Sequence, residues 1–490
     1  MQISTFLTGL LFAVTLCMPC VGVGAPVSPP QNVTRQDLVS IKETLERAYM
    51  QNTDLDEERA KLRQTDEALS QANADWRPSL SVTGTQQQTQ NYIARHGRPN
   101  ERQHGSLTQH QVSLTQNLYR GGATEAGIDE AESNVSAGRA TLYFQEQKSL
   151  FQGVQDHTSI VAQTDIVTYN QQNVEFYKKL LDRATGVFEV GIQSRTEVST
   201  AEAKYEQAQA DLSEALGNLE TAKATYTQNE GAPPGNLAPA TILEDLPKVY
   251  DEALEIAKAN NPAIKAARYQ LEAAEHDVKV QFAPLLPQLG VEGDVGNTRR
   301  TGTEHPRHPR TTDLTFTATL TVPLYQQGIP NSKVRAAYQK VGQLKVALVA
   351  ARRGVVQQIK SAWETLIANR EAVKGYIAFV KSQELAIEGT LEQFYVGLKS
   401  AIDVVELQTE LVKTQIQLAT AQQNLVQASY SVMQAMGRLT ACDLGLNVKY
   451  YDPNVYYNEY SEAWIALHPE DMRYVKDEQD EADVNDEDAQ

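Results

Sequence analysis

A mainly helical fold, carrying two pairs of membrane-type β-strands in a duplicated unit, is what this chain predicts. Three observations carry that expectation. Residues 107–231 recur as 313–437 at a fixed offset of 206. Apolar and small residues recur every seven positions through long Gln/Ala-rich stretches. Two short segments in each half alternate apolar and polar residues with period two. Such a repeat places function in an assembly of units more than in a single pocket.

The duplication can be read residue by residue. Leu114 and Leu118-Tyr119 return as Leu320 and Leu324-Tyr325. Phe188-x-Val190-Gly191-x-x-Ser194 returns as Phe394-x-Val396-Gly397-x-x-Ser400. An unbroken offset means that both halves hold the same parts at the same lengths.

Helices are expected over 36–76, 126–190, 195–230, 248–282, 330–396 and 400–438. The two longest would reach on the order of 100 Å at 1.5 Å per residue, too long for a globular core. Their seam has period seven: Tyr205, Leu212, Leu219 and Tyr226 in the first half, Leu411, Leu418, Leu425 and Val432 in the second. A small row accompanies each: Ala201, Ala208, Ala215, Ala222, and Leu407, Thr414, Ala421, Ala428. Large residues beside small ones describe a left-handed coiled-coil seam. At each hairpin tip, Gly191 and Gly397 suit the left-handed position that ends a helix. Ser194 and Ser400 suit the next N-cap, with Glu197 completing a capping box and Asp403 a shorter variant.

Strands are expected over 78–90 and 107–119, and again over 287–298 and 312–325. Leu314, Phe316, Ala318, Leu320, Val322 and Leu324 alternate with Thr315, Thr317, Thr319 and Thr321. That is a period-two pattern with separated faces. Pro78 and Pro287 end the preceding helices. The loops Arg95–Gly105 and Arg299–Arg310 are polar. About 9–11 residues of such strand suffice to cross a bilayer. Four strands cannot close a barrel, whose smallest membrane form has about eight, so several copies are implied.

Composition narrows the function. A net charge of −18 without a basic cluster excludes nucleic-acid partners. Phe6–Met18 is an apolar run too short to span a bilayer, followed by Val23-Gly24-Ala25, and 1–25 reads as an export signal. No Lys or Arg precedes the run, Pro26 follows the cut, and Cys20 offers a lipid anchor as the alternative. Cys442 then stands alone, so no disulfide is expected. No segment reads as a transmembrane helix. Neither a phosphate loop, a nucleophile motif nor a metal signature occurs, and His305 and His308 sit in an Arg/Pro loop. No enzyme activity, cofactor or metal is expected.

The paired hairpins, the doubled helix–strand–strand–helix order and the export signal together resemble the TolC family of outer-membrane channel proteins, over residues 36–460. That resemblance implies a homotrimer in the outer membrane of a Gram-negative bacterium, extending into the periplasm. Three copies would supply a 12-stranded β-barrel, four strands per subunit, continued by a long α-helical barrel. It implies repeats over 26–247 and 248–439, hairpin tips that dock a periplasmic adaptor joined to an inner-membrane transporter, and polar loops outside the cell. Val190, Gly191, Ser194, Val396, Gly397 and Ser400 occupy the docking tips. Phe394 occupies a Tyr place in the family's mouth latch, Lys399 an Arg place, and Thr196 and Glu197 the partner positions. Phe394 has no hydroxyl and Lys399 no bidentate fork, so the latch is expected to rest on a Lys399–Glu197 pair. Asp403 and Glu406 occupy pore-facing acidic places.

Those two carboxylates also have a reading of their own. They lie three apart on one helix face, so a threefold assembly would make each a cation-attracting ring. The alternative is two first-turn carboxylates stabilised by the helix dipole. Beyond the repeats, 440–470 is an aromatic segment expected to pack on the tunnel, and 471–490 an acidic tail expected to be disordered. The aromatic segment looks like that of members serving type I secretion, the expected role; small-molecule efflux is the alternative. A periplasmic coiled-coil scaffold without a pore is the competitor from another class.

Overall fold

The two halves fold from nearly identical element lists. A computed structural model describes residues 38–94, 96–97, 101–191, 194–243, 246–302, 310–396, 398–461 and 464. The expected signal peptide, the acidic tail, Gly397 and the tips of both polar loops lie outside the described residues. Val39–Gln490 forms one unit. Its first half runs β1 (Leu38–Val39), α1 (Ile41–Gln51), α2 (Thr53–Ala74), β2 (Ser79–Ile93), β3 (Glu101–Arg120), α3 (Ala123–Glu189) and α4 (Arg195–Glu230). After β4 (Asn236–Leu237), the second half gives α5 (Tyr250–Asn260), α6 (Pro262–Phe282), β5 (Gln288–Gly302), β6 (Arg310–Thr321), α7 (Ile329–Tyr395) and α8 (Ala401–Ala435). A last helix, α9, spans Pro453–Tyr460.

Both long helices have 67 residues. Each starts after a left-handed residue, Gly122 at φ 80° and Gly328 at φ 77°. Two expected helices are in fact broken. The segment predicted over 36–76 divides at Asn52, and that over 248–282 divides at Asn261. Each Asn is extended and caps the following helix: Asn52 Oδ1 accepts the N–H of Leu55 (3.2 Å), and Asn261 Oδ1 that of Ala263 (3.0 Å). Pro262 sits in the first turn of α6, where its missing N–H costs nothing. The same two side chains donate to the ends of the hairpins, Asn52 to Asn229 C=O and Asn261 to Ala435 C=O.

The four long strands form one antiparallel sheet in the order β2-β3-β5-β6. Leu80 opposes Leu114, Val112 opposes Val295, and Leu289 opposes Leu320. A bulge interrupts the β3–β5 pairing between Asn117 and Tyr119. Strands β3 and β5 reach further into the polar loops than expected, while β6 stops at Thr321 and not at 325. Pro323 explains the early end, since it has no N–H for the ladder. The sheet has no helix over either face: Leu314 is 82% exposed and Phe316 76%. Among the described residues, both outer edges, on β2 and β6, are unpaired.

Below the sheet, α2, α3, α6 and α7 lie side by side; further down the order is α4, α3, α8, α7. The expected seam is the core. Tyr226, Leu219 and Val432 are buried, and the small row is buried as deeply, with Ala201, Ala208 and Ala215 in α4 and Ala421 and Ala428 in α8. Small residues let the helix axes approach, so the large neighbours interlock. Among the described residues no helix is long and apolar enough to cross a membrane.

Candidate functional site

The ends of the two long hairpins gather most of the residues picked out by sequence. In the first, Gly191 takes φ 77° and its N–H donates to Phe188 C=O at 2.9 Å. In the second, Leu398 N–H reaches back to Gln393 C=O at 2.9 Å, closing the last turn of α7. Above the tips lies a compact cluster. Phe394 is only 7% exposed, packed with Tyr177, Leu180, Ala208, Ala401, Val404 and Val405. Here Phe394 is a core residue joining the two hairpins. Tyr177 Oη lies 3.0 Å from Thr409 Oγ1, and Gln408 Nε2 donates to Asn173 Oδ1 at 3.1 Å.

The two N-caps differ, and in the opposite sense to expectation. Asp403 Oδ2 accepts from both the N–H (2.9 Å) and the hydroxyl (2.7 Å) of Ser400. Lys399 Nζ stands 3.3 Å from Asp403 Oδ1. The Ser400 hydroxyl foremost, then its N–H and Lys399, hold the Asp403 carboxyl below the usual carboxylate range. At the first tip, the Ser194 side chain makes no cap bond; its C=O alone receives Glu197 N–H, at 3.1 Å. Ser194 is exposed and Ser400 half-buried, so water competes for the first cap and less for the second. Glu197 Oε2 is buried without a hydrogen-bond partner among the described residues. The expected Lys399–Glu197 pair is therefore not made within one copy, because Lys399 is drawn to the nearer carboxylate on its own turn. Thr196 and Glu406 are exposed.

Sequence reasoning missed two features of the tips. Phe188, Tyr395, Leu398 and Ile402 join Val190 and Val396 in an exposed apolar patch, with Leu398 77% and Val396 71% exposed. Their signal was apolar residues at turn positions outside the seven-residue seam. Arg183 of α3 lies 4.4 Å from the Tyr395 ring centre and 5.9 Å from that of Phe394, a cation–π bridge between hairpins. Nothing in the local sequence marks Arg183.

The C-terminal aromatic segment is bound from above. Arg59 lies over the rings of Tyr49 and Tyr451, Arg139 over Tyr457, and Arg77 over Trp464. Tyr456 Oη donates to Glu67 at 2.7 Å. Among the described residues, no three His, Cys, Asp or Glu side chains form a group that could hold a metal ion.

The arrangement offers exposed apolar hairpin ends, a charged first turn and an uncovered strand sheet. The profile described as "Outer membrane efflux protein" matches residues 44–231 and 253–438, one span in each half. The chain belongs to the outer membrane efflux protein family. This efflux-family chain is 30% identical over 429 residues to the outer membrane efflux protein BepC of Brucella suis, covering 88% of this chain and 92% of BepC. It is 24% identical to outer membrane protein TolC of Escherichia coli, over 69% of this chain and 71% of TolC. The alkaline protease secretion protein AprF of Pseudomonas aeruginosa is 22% identical over 62% of this chain and 64% of AprF. Among solved structures, the CmeC outer membrane channel of Campylobacter jejuni superposes with a TM-score of 0.71 at 16% identity, covering 86% of this chain and 89% of CmeC. The open state of MtrE from Neisseria gonorrhoeae gives 0.64 at 16%, covering 82% and 89%. The fold is thus that of an outer-membrane efflux channel: strands for a β-barrel, continued by helices for a helical barrel.

Proposed function

We propose that three copies of this chain form the outer-membrane exit duct of a tripartite export system. An inner-membrane transporter would load substrate, a periplasmic adaptor would hold the helical tips, and the barrel would release substrate outside. One observation carries the reading. A four-stranded sheet, uncovered on both faces and unpaired at both edges, stands at one end of 67-residue helices whose other end exposes an apolar patch. The sheet fits a lipid surface, where a closed barrel is the form that leaves no strand edge unpaired. The patch at Val190, Val396 and Leu398, with the Gly191 turn and the Ser194 and Ser400 N-caps between helices, fits a docking partner.

Small-molecule efflux is the cargo class we favour. The C-terminal aromatics pack on α2 and α3, an arrangement that both cargo classes allow. Similarity to BepC covers most of both chains. Protein secretion is the second reading, supported by the likeness to AprF. Purified protein in planar bilayers should conduct ions. Asp403→Ala combined with Glu406→Ala should lower its cation preference severalfold; unchanged selectivity removes both from the pore lining. Deleting the gene should raise sensitivity to toxic dyes and leave secreted proteins unchanged. Loss of a secreted protein alone would select the second reading.

A further inference from the structure

The two halves superimpose as a numbering rule. Residues of α1, α2 and β2 correspond to those of α5, α6 and β5 at an offset of 209, since Ile41–Gln51 matches Tyr250–Asn260 and Ser79–Ile93 matches Gln288–Gly302. From β3 to α4 the offset to the second half is 206. Contacts obey the rule too. Asn52 donates to Asn229 C=O, and its counterpart Asn261 to Ala435 C=O, the counterpart position. Lys345 pairs with Glu275 at 3.5 Å, and their counterparts are Arg139 and Asp66, where the arginine's charge acts on the carboxylate. Leu80 opposes Leu114 as Leu289 opposes Leu320.

One set of contacts has no counterpart within a copy. The first half's α3 packs on α6 and its β3 pairs with β5, both from the second half. The equivalent surfaces, α7 and the outer edge of β6, meet no such neighbour. The consequence is visible residue by residue. Ala140 and Gln147 on α3 are buried, while their counterparts Val346 and Arg353 on α7 are exposed. Charge supports a second copy as the missing neighbour. Between Ile329 and Trp363, α7 carries basic residues such as Lys333, Arg335 and Lys340 and no carboxylate. The counterpart of α6 in the next copy is α2, which holds Asp54, Glu57 and Glu67.

We propose that the seam between copies repeats the seam between halves, residue for residue. Strand β6 pairs with β2 of the next copy so that Ala318 stands opposite Gln86, and Arg335 on α7 faces Glu67 on that copy's α2. The register follows from Val112↔Val295, which the rule carries to Ala318 and Gln86. The contact follows from His276 Nδ1 and Asp129 Oδ2 at 3.3 Å, whose counterparts are Glu67 and Arg335, a carboxylate and a basic side chain on exchanged sides. An exchanged pair stays attractive. Copies also cannot join edge to edge in the wrong hand, since α7 meeting α7 sets cation against cation. Through either seam the pairing advances four residues per half, as Ser79 passes by Thr115 to Glu292, the counterpart of Thr83. Closing a barrel requires a fixed overall stagger, and equal steps at each seam supply one. The inference rests on the trimeric reading above.

Cysteine cross-linking tests the register. In a Cys442→Ser background, the Gln86→Cys/Ala318→Cys protein should oxidise to covalently linked trimers on denaturing gels. The slipped pairs Gln86→Cys/Phe316→Cys and Gln86→Cys/Leu320→Cys should link about fivefold less, since diagonal neighbours sit about 7–8 Å apart. A slipped pair that links best, in a parent that is trimeric in detergent, overturns the register and leaves the duct reading standing. A parent that is monomeric in detergent and links with no pair overturns both. Arg335→Glu should lower the temperature at which trimers dissociate, and adding Glu67→Arg should restore it. If the two single effects merely add, the ion pair is wrong.

Discussion

Glu230 closes α4 with its side chain fully buried and neither carboxylate oxygen hydrogen-bonded among the described residues. Burial, then the charge of neighbouring Asp156, push its pKa up to about 8, against which Arg47 acts only in part. The folded-state value lies above the unfolded one near 4.5, so the folded state binds the extra proton between them. Stability is then highest below pH 4.5 with respect to this group and is lost as pH rises through 8. Glu230→Gln should flatten that decline and raise the melting temperature at pH 8, by the equivalent of a few kcal/mol; a melting curve equally pH-dependent in the variant would refute the assignment. At the tips, Arg183→Ala should cost about 1 kcal/mol and raise resting conductance, because it removes a link between hairpins. Unchanged conductance would make the bridge structural only. Legibility at this scale was uneven. Ser400 and Asp403 were readable as a cap, whereas Glu197 was placed in a box it does not form. Residue types set what a cap can do, but exposure decides whether water does it first.

Gln327 is the non-glycine residue with positive φ among those described, at 59°. Its counterpart Gly121 has φ 67°, and a Cβ there would come within 2.5 Å of Ala283 C=O. The turn into α3 therefore admits only glycine, while the turn into α7 merely pays the left-handed strain. Gln327→Gly should stabilise by about 1 kcal/mol, read as a higher midpoint of denaturation. Element boundaries were legible where periodicity ran long. The α4 limits match the expectation, and α3 and α7 agree within a few residues. The breaks at Asn52 and Asn261 escaped because a single extended residue barely disturbs a period of 3.6. Pro262 was the local sign of the second break. The first is marked only by its equivalence to the second.

Duplication made the whole molecule the most legible level. One offset predicted both hairpins, the second strand of each pair and the tips, because equal lengths force equal parts; the leading strands β2 and β5 stand at 209 instead. Contacts that cross the halves were not legible, since Arg183 on Tyr395 or Arg139 on Tyr457 joins residues distant in sequence with no shared pattern. Among the described residues no disulfide supplements this packing: Cys442 is the sole described cysteine and is free. Thermal melting should be the same with and without a reducing agent; a drop on reduction would reveal a bond between copies. The open margins of the strand sheet have a kinetic consequence. On the proposed three-copy duct, a lone chain has nowhere to satisfy those backbone groups in oil, so entering the lipid waits for its companions. The rate of insertion should therefore climb steeply with the amount of newly made protein, and chains produced too slowly should linger in water, exposed to proteases, before they ever reach the bilayer.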